Sequence, residues 1–515
     1  MPTDDAPPVP ATVPAPPVAG RLALPPFLAR LVAANRAAGI PRLLERLDAH
    51  GVIANFAAPP AARQGLWFTD SDLYKWIEAA AWAGDVDELE PVVEAVLGAQ
   101  SPDGYLNTNF GRDGQLPRWH DLSWSHELYC AGHFVQAAVA RFRSQGRSDL
   151  LDAAERFADC IARELPAGAR DRHPVIEMAL VDLYRVTGKP RHLDLAVDLA
   201  DRVEWRGWDR LEGHAVCALY FASGMTDLAV ETGDAARVAA VRRWYEALLA
   251  ESVYLTGAVG GRWVAEAVGE PYELPQARSY TETCAAVAAI QWHERMHRLT
   301  ADPRALEWRT ITLHNAFAAG VGEGGDEWFY ATPQATSCRA EPHPWIGDRM
   351  PADIAGPLPL RRAPWRDVTC CPPNAARLLA ALPHSQFPVV VPDSAPSDAQ
   401  WVEANHRVES LRGAVALSRE PFVYCFEQID QPDGIDVRDI AVDVDAPVVE
   451  TTVDGLDVVA LRVQGFELRA DSLYRPLTRG RACEFVAIPY PSFARRGPSP
   501  MITWVSRAPV GTTTG

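Results

Sequence analysis

The chain lacks three features that would have placed it early. Its nine cysteines are an odd number, at positions 130, 160, 217, 284, 338, 370, 371, 425 and 483. They do not form the closely spaced, even set of a secreted disulfide scaffold, and reduced thiols are the simpler expectation. There is no apolar run of the ~18 residues needed to span a bilayer. There is no excess of positive charge: 49 Lys and Arg stand against 67 Asp and Glu, a net charge of −18. That balance argues against nucleic acid or an anionic membrane surface as a partner. Met1 to Gly20 has no basic segment followed by an apolar one, so it does not read as a signal peptide. Residues 1–20 hold seven prolines and are expected to form a disordered, partly polyproline tail. A cytoplasmic location is expected from these points.

At 515 residues two or three domains are expected. Apolar residues make up 48%, enough for a large core. Sixteen Trp and thirteen Tyr supply rings of the kind that stack on sugar C–H faces, although most such rings serve simply as core.

From about Arg21 to Leu382 apolar residues recur every three or four positions, the period of helices. A weak repeat runs through this part. His126-Glu127-Leu128-Tyr129 opens one apolar helix, His173-Pro174-Val175-Ile176 the next, and Gly213-His214-Ala215-Val216 a third. A fourth begins near Tyr280-Thr281-Glu282. The first three histidines are 47 and 41 residues apart, the length of a helical hairpin. Stacked hairpins form either a solenoid or a closed α/α toroid. Polar residues at equivalent helix starts favour the toroid, because they would converge on one mouth of it. Each histidine alone reads more simply as a cap or a satisfied core group. After Leu382 the texture changes: 383–400 is rich in Pro, Ser and Asp, and 383–411 reads as linker. From 412 to 515, β-branched runs such as Phe422-Val423-Tyr424-Cys425-Phe426 mark a smaller β domain.

The densest chemistry lies in Val368-Thr369-Cys370-Cys371-Pro372-Pro373-Asn374. Cys284, 86 residues before Cys370, stands in Glu282-Thr283-Cys284. Three thiols and a carboxylate suit one tetrahedral Zn²⁺. The prolines lack N–H groups, so the cysteines are expected on a loop, with Asn374 as N-cap of the helix that follows. A metal held this way can be structural, and it can also keep a thiolate ready to attack. A further acidic segment, Thr256 to Glu273, is marked as a loop by its glycines and Pro275. It offers Glu266, Glu270 and Glu273 as candidate acids, each of which alone reads more simply as a solvated charge.

Several motifs in one order now carry a resemblance. Asp103-Gly104-Tyr105-Leu106-Asn107-Thr108, His126-Glu127-Leu128-Tyr129-Cys130-Ala131-Gly132-His133, Gly213-His214-Ala215-Val216, Tyr280-Thr281-Glu282-Thr283-Cys284-Ala285 and Cys370-Cys371-Pro372-Pro373-Asn374 resemble glycoside hydrolase family 127, the family of bacterial β-L-arabinofuranosidases. The likeness covers roughly residues 45–385 and resumes at Arg412-Gly413 and Phe422-Val423-Tyr424-Cys425. It implies a mainly α chain, with an (α/α)₆ barrel over 21–382 followed by a β-sandwich-like domain. It implies zinc on Glu282, Cys284, Cys370 and Cys371, with Cys370 as nucleophile and Glu266 as general acid/base. Glu266 is matched by its position sixteen residues before Glu282, in Glu266-Ala267-Val268-Gly269. Ala265 stands where the family pattern has glycine. His126, His173 and His214 resemble histidines near the sugar.

The resemblance implies a retaining exo-glycosidase that releases L-arabinofuranose from β-L-arabinofuranosides, with a short oligosaccharide or glycoside as substrate. The same fold acting on another sugar is one alternative. A non-catalytic carbohydrate-binding protein with a structural zinc is another. Aglycone and oligomeric state are left open, a homodimer being one option. One interval departs from the family pattern: only about thirty residues, Pro383 to Leu411, stand where more β structure is usual.

Overall fold

Two kinds of helix alternate along the first 380 residues. In one kind nearly every side chain is buried, as from Glu127 to Arg141. In the other a single stripe is buried, as in Asp149–Glu164, where Leu150, Leu151, Ala153, Ala154, Phe157, Ala158, Cys160 and Ile161 face inward. A helix apolar all round belongs inside, and an amphipathic one belongs on the outside. This alternation is seen in a computed structural model of the chain. It describes residues 21–84, 86–336, 361–366, 368–390, 398–469, 472–474 and 480–508. The expected tail, 1–20, lies outside the described residues.

The helices are α1 (Pro26–Ala34), α2 (Ile40–Ala49), α3 (Asp70–Ala83), α4 (Leu89–Ala99), α5 (Glu127–Gln145), α6 (Asp149–Glu164) and α7 (Ile176–Thr187). They continue as α8 (Pro190–Asp201), α9 (Ala215–Thr232), α10 (Ala235–Glu251), α11 (Thr283–Thr300), α12 (Pro303–Thr312), the single turn α13 (Ala318–Gly320) and α14 (Cys371–Ala381). Helices α3, α5, α7, α9, α11 and α14 each pack on the next, and α14 packs back on α3. The ring of inner helices therefore closes. Helices α4, α6, α8, α10 and α12 lie outside their inner partners, and α1 and α2 lie against α14. This is an (α/α)₆ barrel, and the solenoid alternative falls away. Glycine sets the closeness of the inner ring at two crossings. A Cβ on Gly132 of α5 would lie 2.7 Å from Val175 Cγ1, and one on Gly224 of α9 would lie 2.9 Å from Glu177 Cβ.

The strands are β1 (Ala335–Thr336), β2 (Gln400–Glu403), β3 (Ala414–Arg419), β4 (Phe422–Glu427), β5 (Ile440–Val442), β6 (Val449–Val453), β7 (Leu456–Glu467), β8 (Ala482–Pro489), β9 (Met501–Ile502) and β10 (Trp504–Arg507). They form one sheet in the order β1-β9-β4-β8-β7-β5-β10-β3-β2, with β6 paired on β7. Strands β3 and β4 also pair beside their turn, at Ser418↔Val423 and Arg419↔Phe422. The sheet thus folds over and closes on itself around Val415, Leu417, Tyr424, Phe426, Leu461, Val463 and Phe485. The sandwich-like domain read from the sequence takes this closed form. Strand β2 lies inside the stretch 383–411 that reads as linker. Its partner is β3, with Trp401 opposite Leu417 and Val402 opposite Ala416. A four-residue strand in a Pro-, Ser- and Asp-rich setting shows too little alternation to stand out.

Alternate residues of β4 face opposite ways. Tyr424 and Phe426 enter the interior of the sheet. Val423 and Cys425 turn outward and pack with Ala319 and Phe329 of the helical domain. The seam is pinned by Asn315, in the π-turn that joins α12 to α13. Its side chain donates to the Pro421 carbonyl and accepts from the Val423 N–H, both at 2.8 Å. In Asn315→Leu both backbone groups are left buried and unsatisfied, so stability should fall by about 3 kcal/mol. Denaturant unfolding checks this, and an unchanged midpoint would remove Asn315 from the seam.

His314, beside it, is 1% exposed and packs between Phe27 and Phe422. Burial holds its imidazole down at about 4. The unfolded chain takes up that proton below about pH 6.5, whereas the folded chain does so only near 4. The stabilisation is therefore fully present above 6.5 and is lost as pH falls through this window. At pH 5 the loss is about 2 kcal/mol. The gap in stability between wild type and His314→Gln should narrow by about that much between pH 7 and pH 5, and a constant gap would refute the assignment.

Candidate active site

Every inner helix brings its N-terminal end to the same mouth of the barrel. The residues found there line one cavity of about 210 Å³. They include Trp67 and Phe68 before α3, His126 before α5, His173 before α7 and His214 before α9. Glu282 and Cys284 at the start of α11, Cys370 before α14, and the loop residues Glu266 and Tyr330 complete it.

Cys370 is the N-cap of α14 and Cys371 its first residue. The expectation of a loop ended by an Asn374 cap is therefore corrected. Pro372 and Pro373 sit in the first turn, where a helix N–H has no partner to lose, so they start the helix rather than delay it. Asn374 lies inside that turn, buried, accepting from Arg377 Nε at 2.7 Å and donating to the Tyr220 hydroxyl at 3.0 Å. On the neighbouring inner helix Glu282 is the N-cap of α11. Its backbone pairs with Ala331, and its Oε2 accepts from the Tyr280 hydroxyl.

The two helix starts bring four ligand groups together. Cys284 Sγ lies 3.4 Å from Cys371 Sγ, and Cys370 Sγ lies 3.8 Å from Cys371 Sγ. Glu282 Oε1 lies 3.4 Å from Cys370 Sγ and 3.3 Å from Cys371 Sγ. A tetrahedral ion with Zn–S bonds of ~2.3 Å and a Zn–O bond of ~2.0 Å needs S···S edges of ~3.8 Å and S···O edges of ~3.5 Å. These four of the six edges stand within a few tenths of an ångström of those values, and all four ligand atoms lie within 4.8 Å of one another, so the groups fit one ion. Burial first, and then the charge on Cys284, push the Glu282 carboxyl well above its ordinary range. Burial, with Cys284 and Cys370 alongside, does the same to the Cys371 thiol. Such a group holds either protons or a cation.

Glu266 reaches the cavity on a short loop tied to two helix starts. Arg262 and Ala267 exchange N–H···O bonds of 3.1 and 2.8 Å, Val268 N–H donates to Gly213 O at 2.9 Å, and Thr281 N–H donates to Gly260 O at 3.0 Å. The turn between Arg262 and Ala267 is tight enough to force Ala265 and Glu266 to φ values of 57° and 51°. Glu266 Oε1 accepts from the Tyr330 hydroxyl at 2.6 Å, and Oε2 lies 3.0 Å from His214 Nε2. Because His214 Nδ1 accepts from Val216 N–H at 3.1 Å, Nε2 is the atom that carries the proton toward Glu266. The other two candidate acids, Glu270 and Glu273, are surface partners of Arg210 and Arg262.

His126 Nδ1 lies 2.6 Å from the Trp124 carbonyl, with the Trp67 indole nitrogen at 3.2 Å. Burial holds His126 down at about 4, and burial with His126 nearby also lowers His173. Both are neutral imidazoles, able to share hydrogen bonds with hydroxyls. Trp67 and Trp124 stand 4.8 Å apart at the rim.

The matches to known proteins point the same way as the geometry. The domain described as "Beta-L-arabinofuranosidase, GH127 catalytic domain" matches residues 23–384, and the family's C-terminal domain matches 399–506. The chain belongs to glycoside hydrolase family 127. It is a glycoside hydrolase. A relative from Bifidobacterium longum, named non-reducing end β-L-arabinofuranosidase, is 26% identical, with 84% of this chain and 88% of the relative covered. That alignment runs over 589 positions, more than this chain's 515 residues, so the relative carries segments absent here. The solved structure of a family 127 β-L-arabinofuranosidase from Geobacillus stearothermophilus T6 is 26% identical with a TM-score of 0.85, covering 95% of this chain and all of that one. A second family 127 β-arabinofuranosidase shares the fold at 24% identity and a TM-score of 0.81, covering 96% and 97%.

Within this family-127 chain the structure gathers the eight residues to which the resemblance gives roles around one cavity and the ligand group beside it, and leaves Glu270 and Glu273 outside. The sequence reading missed Tyr330, in an unremarked Trp-Phe-Tyr-Ala-Thr stretch, and Tyr129, whose hydroxyl accepts from Lys75 Nζ at 2.7 Å. It also missed Asp171, which accepts from the Leu128 and Tyr129 N–H groups at the start of α5. The one sign of Asp171 was its place two residues before His173.

The left-handed turn can be tested at Ala265. A β-branched side chain is poorly tolerated at φ 57°. Ala265→Val should lose more than about 1 kcal/mol of stability and shift Glu266, lowering turnover. Ala265→Gly should stay within about 1 kcal/mol of wild type, because relief of the turn offsets added unfolded-state freedom. Thermal denaturation of both variants checks this, and equal stability of Val and Ala would refute the strained turn.

Proposed function

We propose that this family-127 hydrolase is a retaining exo-β-L-arabinofuranosidase acting on short oligosaccharides or glycosides. One observation carries the reading. Glu266, an acid with no place in a structural metal site, lines the same cavity as Cys370, the one ligand of the four that is not fully buried. A purely structural metal needs no such acid beside one of its sulfurs.

Zn²⁺ is the ion that suits Glu282, Cys284, Cys370 and Cys371, and when bound it keeps thiols ionised at neutral pH. The chain's own residues then divide the work. Cys370 Sγ attacks the anomeric carbon while the bond to the leaving oxygen breaks. Glu266, protonated, gives that oxygen its proton. Glu266 as carboxylate next takes a proton from water, whose oxygen displaces Cys370 and restores the original configuration. His214 and Tyr330 aim the carboxyl. His126, His173 and His214 are placed to hold the sugar hydroxyls. A cavity of about 210 Å³ suits one terminal sugar rather than a chain.

Hydrolysis of p-nitrophenyl β-L-arabinofuranoside by the purified protein, measured beside its zinc content, tests the reading. Turnover with one zinc per chain is expected. Glu266→Gln should keep the zinc and the fold but lose at least about 10³-fold in kcat/KM. Cys370→Ser should lose at least as much. Zinc without turnover would move the reading to another sugar or to a non-catalytic protein. Undiminished turnover in Cys370→Ser would overturn the nucleophile.

A further inference from the structure

We infer that His173, His214 and Cys217 form a second metal site, an inhibitory one for a soft divalent cation, inside the sugar cavity. One ligand atom from each of the three lies within 4.8 Å of the others, and all three line the cavity. Cys217 is in the first turn of α9, three residues after its N-cap His214, and His173 precedes the neighbouring α7. This places a thiol and two imidazoles on one side of the mouth, apart from the Glu282 group.

The donor types select the ion. One thiolate and two neutral imidazoles are a zinc-type set, and they favour Zn²⁺ and Cd²⁺ over Mg²⁺ or Ca²⁺. His173 Nδ1 is buried and has no hydrogen-bond partner among the described residues. His214 gives something up on binding an ion, because its ring nitrogens face Val216 N–H and Glu266. Three protein ligands leave a fourth position for water or for a Glu266 oxygen. Binding releases the Cys217 thiol proton to solvent, and the thiolate takes the ion in its place. Competition with substrate rests on the reading of His173 and His214 as sugar contacts. The metal binding itself does not.

Equilibrium dialysis of the full-length protein against Cd²⁺, with metal analysis and the ultraviolet thiolate-to-Cd²⁺ band, tests the site. Wild type is expected to hold two equivalents and Cys217→Ser one, with Cys217→Ala as a second variant. Against the arabinofuranoside, Cd²⁺ should inhibit wild type competitively, and the inhibition constant should rise at least tenfold in Cys217→Ser. Two equivalents retained by both Cys217 variants would overturn the site. So would a single wild-type equivalent that both variants keep. A single equivalent that both variants lose would uphold this site and overturn the Glu282 group instead. A protein without turnover still reports its metal count, so the two readings fail separately.

Discussion

Ring closure by α14 is the constraint on which the site depends. Cys284 and Cys370 are far apart in the chain, and their segments meet only because α14 lies between α11 and α3. The closure is supported away from the cluster as well. Arg377, 1% exposed, donates to Glu78 at 2.9 Å and to Gln136 at 2.8 Å. It thereby ties α14 to α3 and α5. Asn374 and Tyr220 tie it to α9. Polar groups this deep are worth more as anchors than exposed ones, because breaking one leaves the other unsatisfied. The barrel can therefore hold four acidic groups together at one end, in an arrangement that could bind a cation. Lys75, wholly buried between Asp72 and Tyr129, adds a fixed positive charge on α3.

Hydrogen bonds join this group to the acid opposite. Glu266 accepts from Tyr330, whose hydroxyl lies 3.5 Å from that of Tyr280, and Tyr280 donates to Glu282. The loop that carries Glu266 is bonded at Gly260 to Thr281 and at Val268 to Gly213. Glu266 and the ligand group thus share one point of reference, the start of α11, which fixes their separation as the proposed mechanism requires.

How much of this was legible follows from what each part needs. The helices could be read from their three-and-four period, and the closed barrel from polar residues at equivalent helix starts together with the family motifs in order. Cys370, Cys371 and Glu282 could be read because adjacent thiols and a carboxylate near a third thiol are rare by chance. The start of α14 was misjudged because proline suits both a helix's first turn and an extended chain, and only packing decides. Tyr330 left no local signal, and Asp171 only its place two residues before His173. Each matters through a partner more than forty residues away, and no periodicity encodes that. Strand β2 is too short for alternation to mark it.

The β domain belongs to the site although no described strand enters the cavity. Residues 329–332 run between it and the start of α11. On one side Phe329 stacks on Phe493 at 5.3 Å, and the Tyr490 hydroxyl donates to Thr332 O at 2.6 Å. On the other, Thr283 N–H donates to Tyr330 O at 2.8 Å, and Thr332 N–H donates to Thr281 O at 3.1 Å. Tyr330 is thereby gripped on both flanks while its hydroxyl faces Glu266. A hydroxyl that must hold a 2.6 Å hydrogen bond to a carboxyl needs such support. The chain's short interval before β2 leaves this grip whole, because Phe493, Tyr490 and the strands behind them lie after it.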